Sequence, residues 1–276
     1  MVIEKVVLPC ILALLMFGLG LSLRLADFGR IGRNWKVVVL ALFSILVLMP
    51  LSAWAIGLAL ALPPAYAAGL ILLATCPGGM FSNMVTHGCK ADLPLSLALT
   101  VCSSVLYVLV APWFLVNGSW AQPVATITLE LIGVVLLPLS AGMWVNQRWP
   151  VWATRYAGMA RTVSVVLIAL LFVALALDQL DSILANGGFV VLAVALLNGV
   201  GWCLTALLVF LLRLSSHEFI AVGAEHSIRQ EGIGVFVAVT LLAQPEMAVP
   251  VLTNSFVGFA VCLAVVALIV KKEAKS

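Results

Sequence analysis

The chain has 276 residues, of which 64% are hydrophobic and only 9% charged, and its mean hydropathy is +1.23. A soluble domain carries about 25% charged residues to solvate its surface, so this composition excludes an ordinary water-soluble fold and points to a surface covered by lipid. The net charge of +3 carries no nucleic-acid reading; what matters is where the basic residues fall.

The first apolar run, Val6 to Leu23, has no basic leader and no small-residue cleavage site, and it exceeds the apolar stretch of a signal peptide. It reads as the first span. Asp, Glu, Lys and Arg are absent from Val37 to Cys89, Leu93 to Leu129, Ser182 to Leu212 and Met247 to Val270. A span needs roughly 20 apolar residues to cross about 30 Å of hydrocarbon, so the longer runs hold two spans each. Nine spans are expected, at 6–24, 37–60, 66–87, 93–116, 124–145, 161–177, 188–212, 218–242 and 248–270. Pro63-Pro64, Asn117-Gly118 and Asn186-Gly187-Gly188 punctuate the short connections.

Twelve of the fourteen basic residues then fall on one side. Arg24, Arg30, Arg33 and Lys36 follow the first span, and Lys90 follows the third. Arg148, Arg155 and Arg161 follow the fifth, Arg213 the seventh, and Lys271, Lys272 and Lys275 the last. The positive-inside rule places these connections and the C-terminus in the cytoplasm and the N-terminus outside; the membrane expected is the plasma (inner) membrane. The six cysteines are scattered without metal-ligand spacing and are expected to be free, buried thiols. Trp113, Trp120, Trp144, Trp149 and Trp152 lie near span ends as interfacial anchors, while Trp54 and Trp202 read as packing residues. Gly18, Gly20, Gly199 and Gly201 are expected to permit close helix approach.

Two spans carry residues that lipid cannot accept. In the third, Thr75-Cys76-Pro77-Gly78-Gly79 interrupts the helix, because Pro77 removes a donor and Gly78-Gly79 permits unwound geometry. A plain proline kink is the simple alternative; the Ser82-Asn83 pair that follows favours a site. In the eighth, Glu225, His226, Arg229, Gln230 and Glu231 precede Gly232 and Gly234. A charge at the bilayer centre costs at least about 2.5–3.5 kcal/mol, so these groups must face protein or a watery cavity and be paired. Glu225 and Arg229 stand four residues apart and would pair if that turn is helical. Ser96 and Thr100 in the fourth span share one helix face, and the neutral oxygens with the Glu225 carboxylate form a set that hard cations select.

The segment from Thr75 to Asn83, with Ser96 and Thr100, resembles the bile acid:sodium symporter family. Met16 to Leu21 with Asp27-Phe28 is similar to that family's early helix and loop. Asn198-Gly199 and the segment from Glu225 to Gly232 are similar to its later half, so the likeness runs through nearly the whole chain. The resemblance implies an all-α polytopic membrane protein with nine transmembrane helices. It would be an inverted-repeat transporter with core and panel domains and two interrupted crossing helices, and a divergent member starting at the family's second helix. Residues 6–24 and 124–177 would supply panel helices, and 37–116 and 188–270 the core.

The same resemblance assigns Ser82, Asn83, Ser96, Thr100 and Glu225 to a cation site that takes sodium. A second sodium site does not carry over: Ile45 stands where a glutamine is common, and Arg229-Gln230-Glu231-Gly232 replaces Gln-Asn-Ser-Gly. A guanidinium has donors only and cannot ligate sodium, so Arg229 is expected to substitute for the second ion or to meet the substrate. Gln230, Glu231, His226, Asn198 and Met80 join it as substrate or ion-substitute candidates, and Pro77, Gly78, Gly79 and Gly232 as helix breaks.

The leading expectation is a secondary transporter of a small organic anion, sodium-coupled through one site, with the lipid bilayer as its other partner. A proton-coupled or uncoupled transporter is the alternative, because Glu231 and His226 are titratable groups within the membrane. An intramembrane hydrolase built on Glu225, His226, Glu231, His87 and Cys89 would need a histidine pair, and the chain has three scattered histidines and no HExxH. No catalytic residue, transition metal, nucleic acid or obligate protein partner is expected. A sensor or scaffold without transport has little use for two interrupted helices.

Overall fold

The structure, a computed structural model, describes residues 6–23, 35–115, 123–178 and 180–273. Proline and glycine positions decide where the apolar chain is cut. Helix α1 (Leu8–Leu21) opens with Pro9 in its first turn, where a missing N–H costs nothing. Helix α2 (Trp35–Ala59) widens into a π-helical turn at Ser44–Leu48 just ahead of Pro50. Helix α6 (Val124–Arg148) does the same at Ile132–Leu136 ahead of Pro138. In both, the proline ring would strike the carbonyl four residues back, and the wider turn relieves that clash. The two prolines sit in matching Pro-Leu-Ser-Ala strings, Pro50 to Ala53 and Pro138 to Ala141.

Between them, α3 (Pro64–Thr75) and α4 (Met80–Gly88) are the halves of one interrupted segment, followed by α5 (Leu93–Leu115). After α6 come α7 (Pro150–Asp178) and α8 (Leu180–Leu212). A second interrupted segment consists of α9 (Ser216–Ser227) and α10 (Glu231–Leu241), and α11 (Ala248–Glu273) ends the described chain. Helix α9 begins with a capping box, Ser215 and Glu218 each satisfying the other's backbone N–H.

Among the described residues, six helices are long and apolar enough to cross a membrane: Trp35–Ala59, Leu93–Phe114, Val124–Arg148, Pro150–Leu175, Gly187–Leu212 and Pro245–Lys271. Leu8–Leu21, Pro64–Thr75 and Glu231–Leu241 are shorter apolar helices. The chain is thus an all-helical polytopic membrane protein. The sixth expected span begins earlier than hydropathy indicates. Trp149, held out of the helical region by Pro150, is the whole connection from α6, so Arg155 and Arg161 lie within α7 rather than in a loop.

Packing falls into two main groups, joined chiefly where α5 meets α6. Helix α1 lies against α6 and α7. At the α1–α6 crossing a Cβ on Gly20 would stand 2.3 Å from the Leu139 carbonyl, and one on Gly142 would stand 2.3 Å from that of Phe17. The remaining helices pack among themselves, α2 on α3 and α8, α8 on α9 and α11, and α9 on α4 and α5. Gly199 has open space around it, contrary to its expected role. Outward faces are apolar and exposed, Trp113, Trp144, Trp149 and Trp152 among them. Trp54 also faces outward instead of packing, whereas Trp202 is buried against Phe219. All six cysteines are free, but only Cys76 and Cys262 are buried; Cys10 and Cys203 are exposed on the apolar exterior. Trp120 and the basic residues from Arg24 to Arg33 lie outside the described residues.

Candidate functional site

The two interrupted segments meet at their breaks. Helix α3 stops at Thr75 because the residue before Pro77 is barred from the helical region, and Cys76 is extended (φ −54°, ψ 139°). Helix α9 stops at Ser227, and Ile228 is likewise extended (φ −99°, ψ 101°). Gly79 N–H donates to the Ile228 carbonyl at 3.0 Å, and Gln230 N–H donates to that of Pro77 at 2.9 Å. Gly78 and Arg229 thereby form an isolated antiparallel bridge. Backbone groups freed by each break are satisfied by the other, as a dry interior requires. The approach is too close for side chains at two positions. A Cβ on Gly78 would overlap Glu225 Oε2, and one on Gly79 would stand 2.6 Å from the Arg229 carbonyl.

On one side of this bridge sits Glu225, fully buried. Its Oε1 accepts from Ser82 Oγ, from Ser96 Oγ at 2.8 Å and from Thr100 Oγ1 at 3.0 Å. Asn83 Nδ2 donates to Thr100 Oγ1 at 3.1 Å. The five residues expected to form the cation site, Ser82, Asn83, Ser96, Thr100 and Glu225, thus converge from α4, α5 and α9, and all are buried. Thr86 completes the set: its hydroxyl donates to the Ser82 carbonyl at 2.8 Å and lies 3.4 Å from Ser96 Oγ. Among the described residues no cationic group stands within ion-pairing reach of this carboxylate. Hydroxyls satisfy it as donors, yet each keeps lone pairs that a small hard cation could engage.

The other side of the bridge holds Arg229, also buried. The expected ion pair with Glu225 does not form. The helix ends at Ser227, so residues 225 and 229 are no longer on one helical face. Instead Nε donates to the His226 carbonyl and Nη1 to the Cys76 carbonyl, both at 3.0 Å. These carbonyls terminate α9 and α3, where a cation is favoured by the helix dipole. Among the described residues Nη2 has no hydrogen-bond partner. Nor does Glu231 pair with Arg229 within 4 Å; its Oε1 accepts from Asn254 Nδ2 at 3.0 Å.

His226 and Asn198 stand apart from the charged groups. His226 Nε2 lies 2.8 Å from Ser44 Oγ, while Nδ1 lies 2.9 Å from the Val222 carbonyl and 3.2 Å from Thr205 Oγ1. A carbonyl only accepts, so Nδ1 carries the proton and Nε2 receives the Ser44 hydroxyl. Asn198 Nδ2 donates to Val194 and, at 2.9 Å, to Asn254 Oδ1. Asn254 in turn donates to the Ser227 carbonyl at 3.1 Å and to Glu231.

A cavity of about 330 Å³ opens beside the bridge. Apolar side chains of α1, α7 and α11 wall it, including Leu15, Ile168, Phe172 and Leu252. Its polar end is made by Arg229, Gln230, Glu231 and Asn254, and Met80 and Gly232 line the same end. Glu225, His226 and Asn198 are not on its wall. The starts of both second half-helices, α4 at Met80 and α10 at Glu231, therefore border the cavity. Among the described residues no three His, Cys, Asp or Glu side chains gather as a metal cluster.

Several contributors escape a reading of the sequence. Thr86 follows Ser82 by one helical turn and had a spacing signal. Asn254 is an amide in an apolar span, which is itself a signal. Ser44 and Thr205, the partners of His226, have none.

The Sodium Bile acid symporter family matches residues 9–186. The Uncharacterized sodium-dependent transporter YocS of Bacillus subtilis is 30% identical over 243 residues, 87% of this chain and 75% of that protein. The Arabidopsis thaliana protein named "Probable sodium/metabolite cotransporter BASS1, chloroplastic" is 30% identical over 249 residues, 88% of this chain and 62% of its own length. The human Ileal sodium/bile acid cotransporter is 32% identical over 182 residues, 61% of this chain and 51% of its own length. The chain spans half to three quarters of these relatives. It belongs to the sodium bile acid symporter family.

Proposed function

We propose that the protein is a secondary transporter that couples the movement of a small organic anion to sodium through one cation site at Glu225. The observation that carries this reading is the buried carboxylate ringed by Ser82, Ser96 and Thr100 with no cationic partner among the described residues. A buried unpaired charge is costly, and a bound sodium ion would neutralise it while its ligands' lone pairs replace water. Membership of a family whose relatives are named as sodium-dependent transporters, not enzymes, supports the same coupling ion.

Arg229 serves in this reading as a tethered cation in place of a second sodium. Its two donations to the carbonyls of Cys76 and His226 support that assignment. The substrate occupies the cavity beside the bridge, its carboxylate drawn to the start of α4, where free N–H groups and the dipole favour an anion. We take α1, α6 and α7 as the panel and the other helices as the core. The chain then crosses the plasma or inner membrane nine times, N-terminus outside and C-terminus cytoplasmic, each interrupted segment counting as one crossing. Movement of core against panel would expose the cavity to each side in turn.

Proton coupling is the second reading, favoured by one observation: Glu231, a titratable group, lines the cavity. Uptake into proteoliposomes separates the two. At equal pH on both sides, an inward sodium gradient should accumulate organic anions, and purified protein should bind about one sodium ion per chain. Uptake indifferent to sodium and driven by a pH gradient would overturn the sodium reading.

A further inference from the structure

The polar end of the cavity is not shaped for a simple monoanion. Of its two charges, Arg229 is the more withdrawn: it is 2% exposed, and two of its guanidinium nitrogens are held by the Cys76 and His226 carbonyls. Glu231 is less buried, and it stands on the wall of a chamber whose lining is mostly apolar. The two are not ion-paired, although they are two residues apart in the chain.

Glu231 is held from behind. Asn198 Nδ2 donates to Asn254 Oδ1, which commits the Asn254 amide to donate through Nδ2, and one of the atoms it reaches is Glu231 Oε1. A carboxylate at the first residue of a helix is favourable in itself. The two-asparagine relay adds to this, because the amide N–H it presents favours the ionised carboxylate and holds the side chain at the cavity surface. An anionic solute entering the chamber meets a like charge at close range, in surroundings of low dielectric where repulsion is strong. A solute that brings its own ammonium meets a partner.

We propose that Glu231 is a specificity-determining residue that selects zwitterionic substrates, solutes carrying an ammonium group beside the carboxylate and an apolar tail. The ammonium docks on Glu231, the carboxylate lies toward Arg229 and the start of α4, and the tail fills the space among Leu15, Ile168 and Phe172. This rests on the transport reading and narrows its substrate from any small organic anion to carboxylates that also carry an ammonium group. Glu231 is then a fixed recognition element rather than a proton carrier, and Asn198 and Asn254 are positioning residues that act through it.

Matched solutes test this on the whole chain. Leucine is compared with 4-methylpentanoate, and phenylalanine with 3-phenylpropanoate, by melting shift of the purified protein in sodium and by sodium-driven uptake into proteoliposomes. In the wild type the amino acids should bind at least about tenfold more tightly than their deaminated partners, the range of a charge-assisted hydrogen bond. Glu231→Gln should bring each pair to near parity by weakening the amino acid and strengthening the plain acid. Asn254→Ala should narrow the preference in the same direction without abolishing it. Wild-type preference for the deaminated acids, or binding of neither kind, overturns the proposal whatever the variants do. Sodium-driven uptake of the plain acids alone would overturn only the role of Glu231. Failure of sodium to shift melting or drive any uptake would overturn the transport reading beneath it.

Discussion

At Cys76–Gly79 the helix ends for reasons written into the local chain, while at Ile228–Gln230 it ends for reasons supplied by the rest of the molecule. Pro77 forces the residue before it out of the helical region, and two glycines allow the tight passage that follows. No proline stands at the second break. There the freed carbonyl of His226 is taken by Arg229 Nε, and the extended residues are held by two backbone bonds to the first break. The second interruption is thus templated by the first. The charges divide the same way: the Glu225 side is a carboxylate among hydroxyls with no fixed cation, and the Arg229 side carries its cation covalently. In the proposed function, a binding site for a mobile ion and a permanent substitute for one sit back to back across a single strand-like bridge.

The largest effect that would break this contrast comes from Glu225→Ala. Removing the carboxylate should eliminate sodium binding by the purified protein and, with it, a stabilisation of about 2.7 kcal/mol at a hundredfold excess of sodium over Kd. Sodium-dependent melting that survives this change would place the ion elsewhere.

Comparable in size is Arg229→Gln, which leaves the Cys76 and His226 carbonyls short of their donors. A loss of about 1–3 kcal/mol is expected for each buried group left unsatisfied. If Arg229 stands in for an ion, sodium should restore part of that stability, and binding should rise from one ion toward two. A variant that is destabilised but still binds one ion would reduce Arg229 to a helix cap.

Gly78→Ala should cost about 1–3 kcal/mol through overpacking, because its methyl group falls on Glu225 Oε2. Apparent sodium affinity should drop with it, since the carboxylate must move. The smallest expected change is Thr86→Val, which removes a hydroxyl beside Ser96 without touching Glu225. About 1 kcal/mol, or a fivefold weaker sodium response, is the expected size. An effect as large as that of Glu225→Ala would make Thr86 a direct ligand.

Sparse charge and long apolar runs determined by themselves that this is a polytopic helical membrane protein, because covering such a surface with water is unaffordable in free energy. Local chemistry also located the first break, since proline and glycine act within a residue or two. The residues that gather around Glu225 were legible for a related reason. Ser82 and Asn83 follow the break, Ser96 and Thr100 share a helical face, and an intramembrane Glu225 demands donors or a cation.

Tertiary structure alone decided what the second break does. Spacing allowed a Glu225–Arg229 pair, yet the helix stops between them, and Arg229 reaches a carbonyl 153 residues away in the chain. The partners of His226 and the path from Asn198 through Asn254 to Glu231 were equally hidden. Direction is the physical reason. A residue's type limits what it can donate or accept, but where it points depends on how helices distant in sequence cross, and only packing sets that.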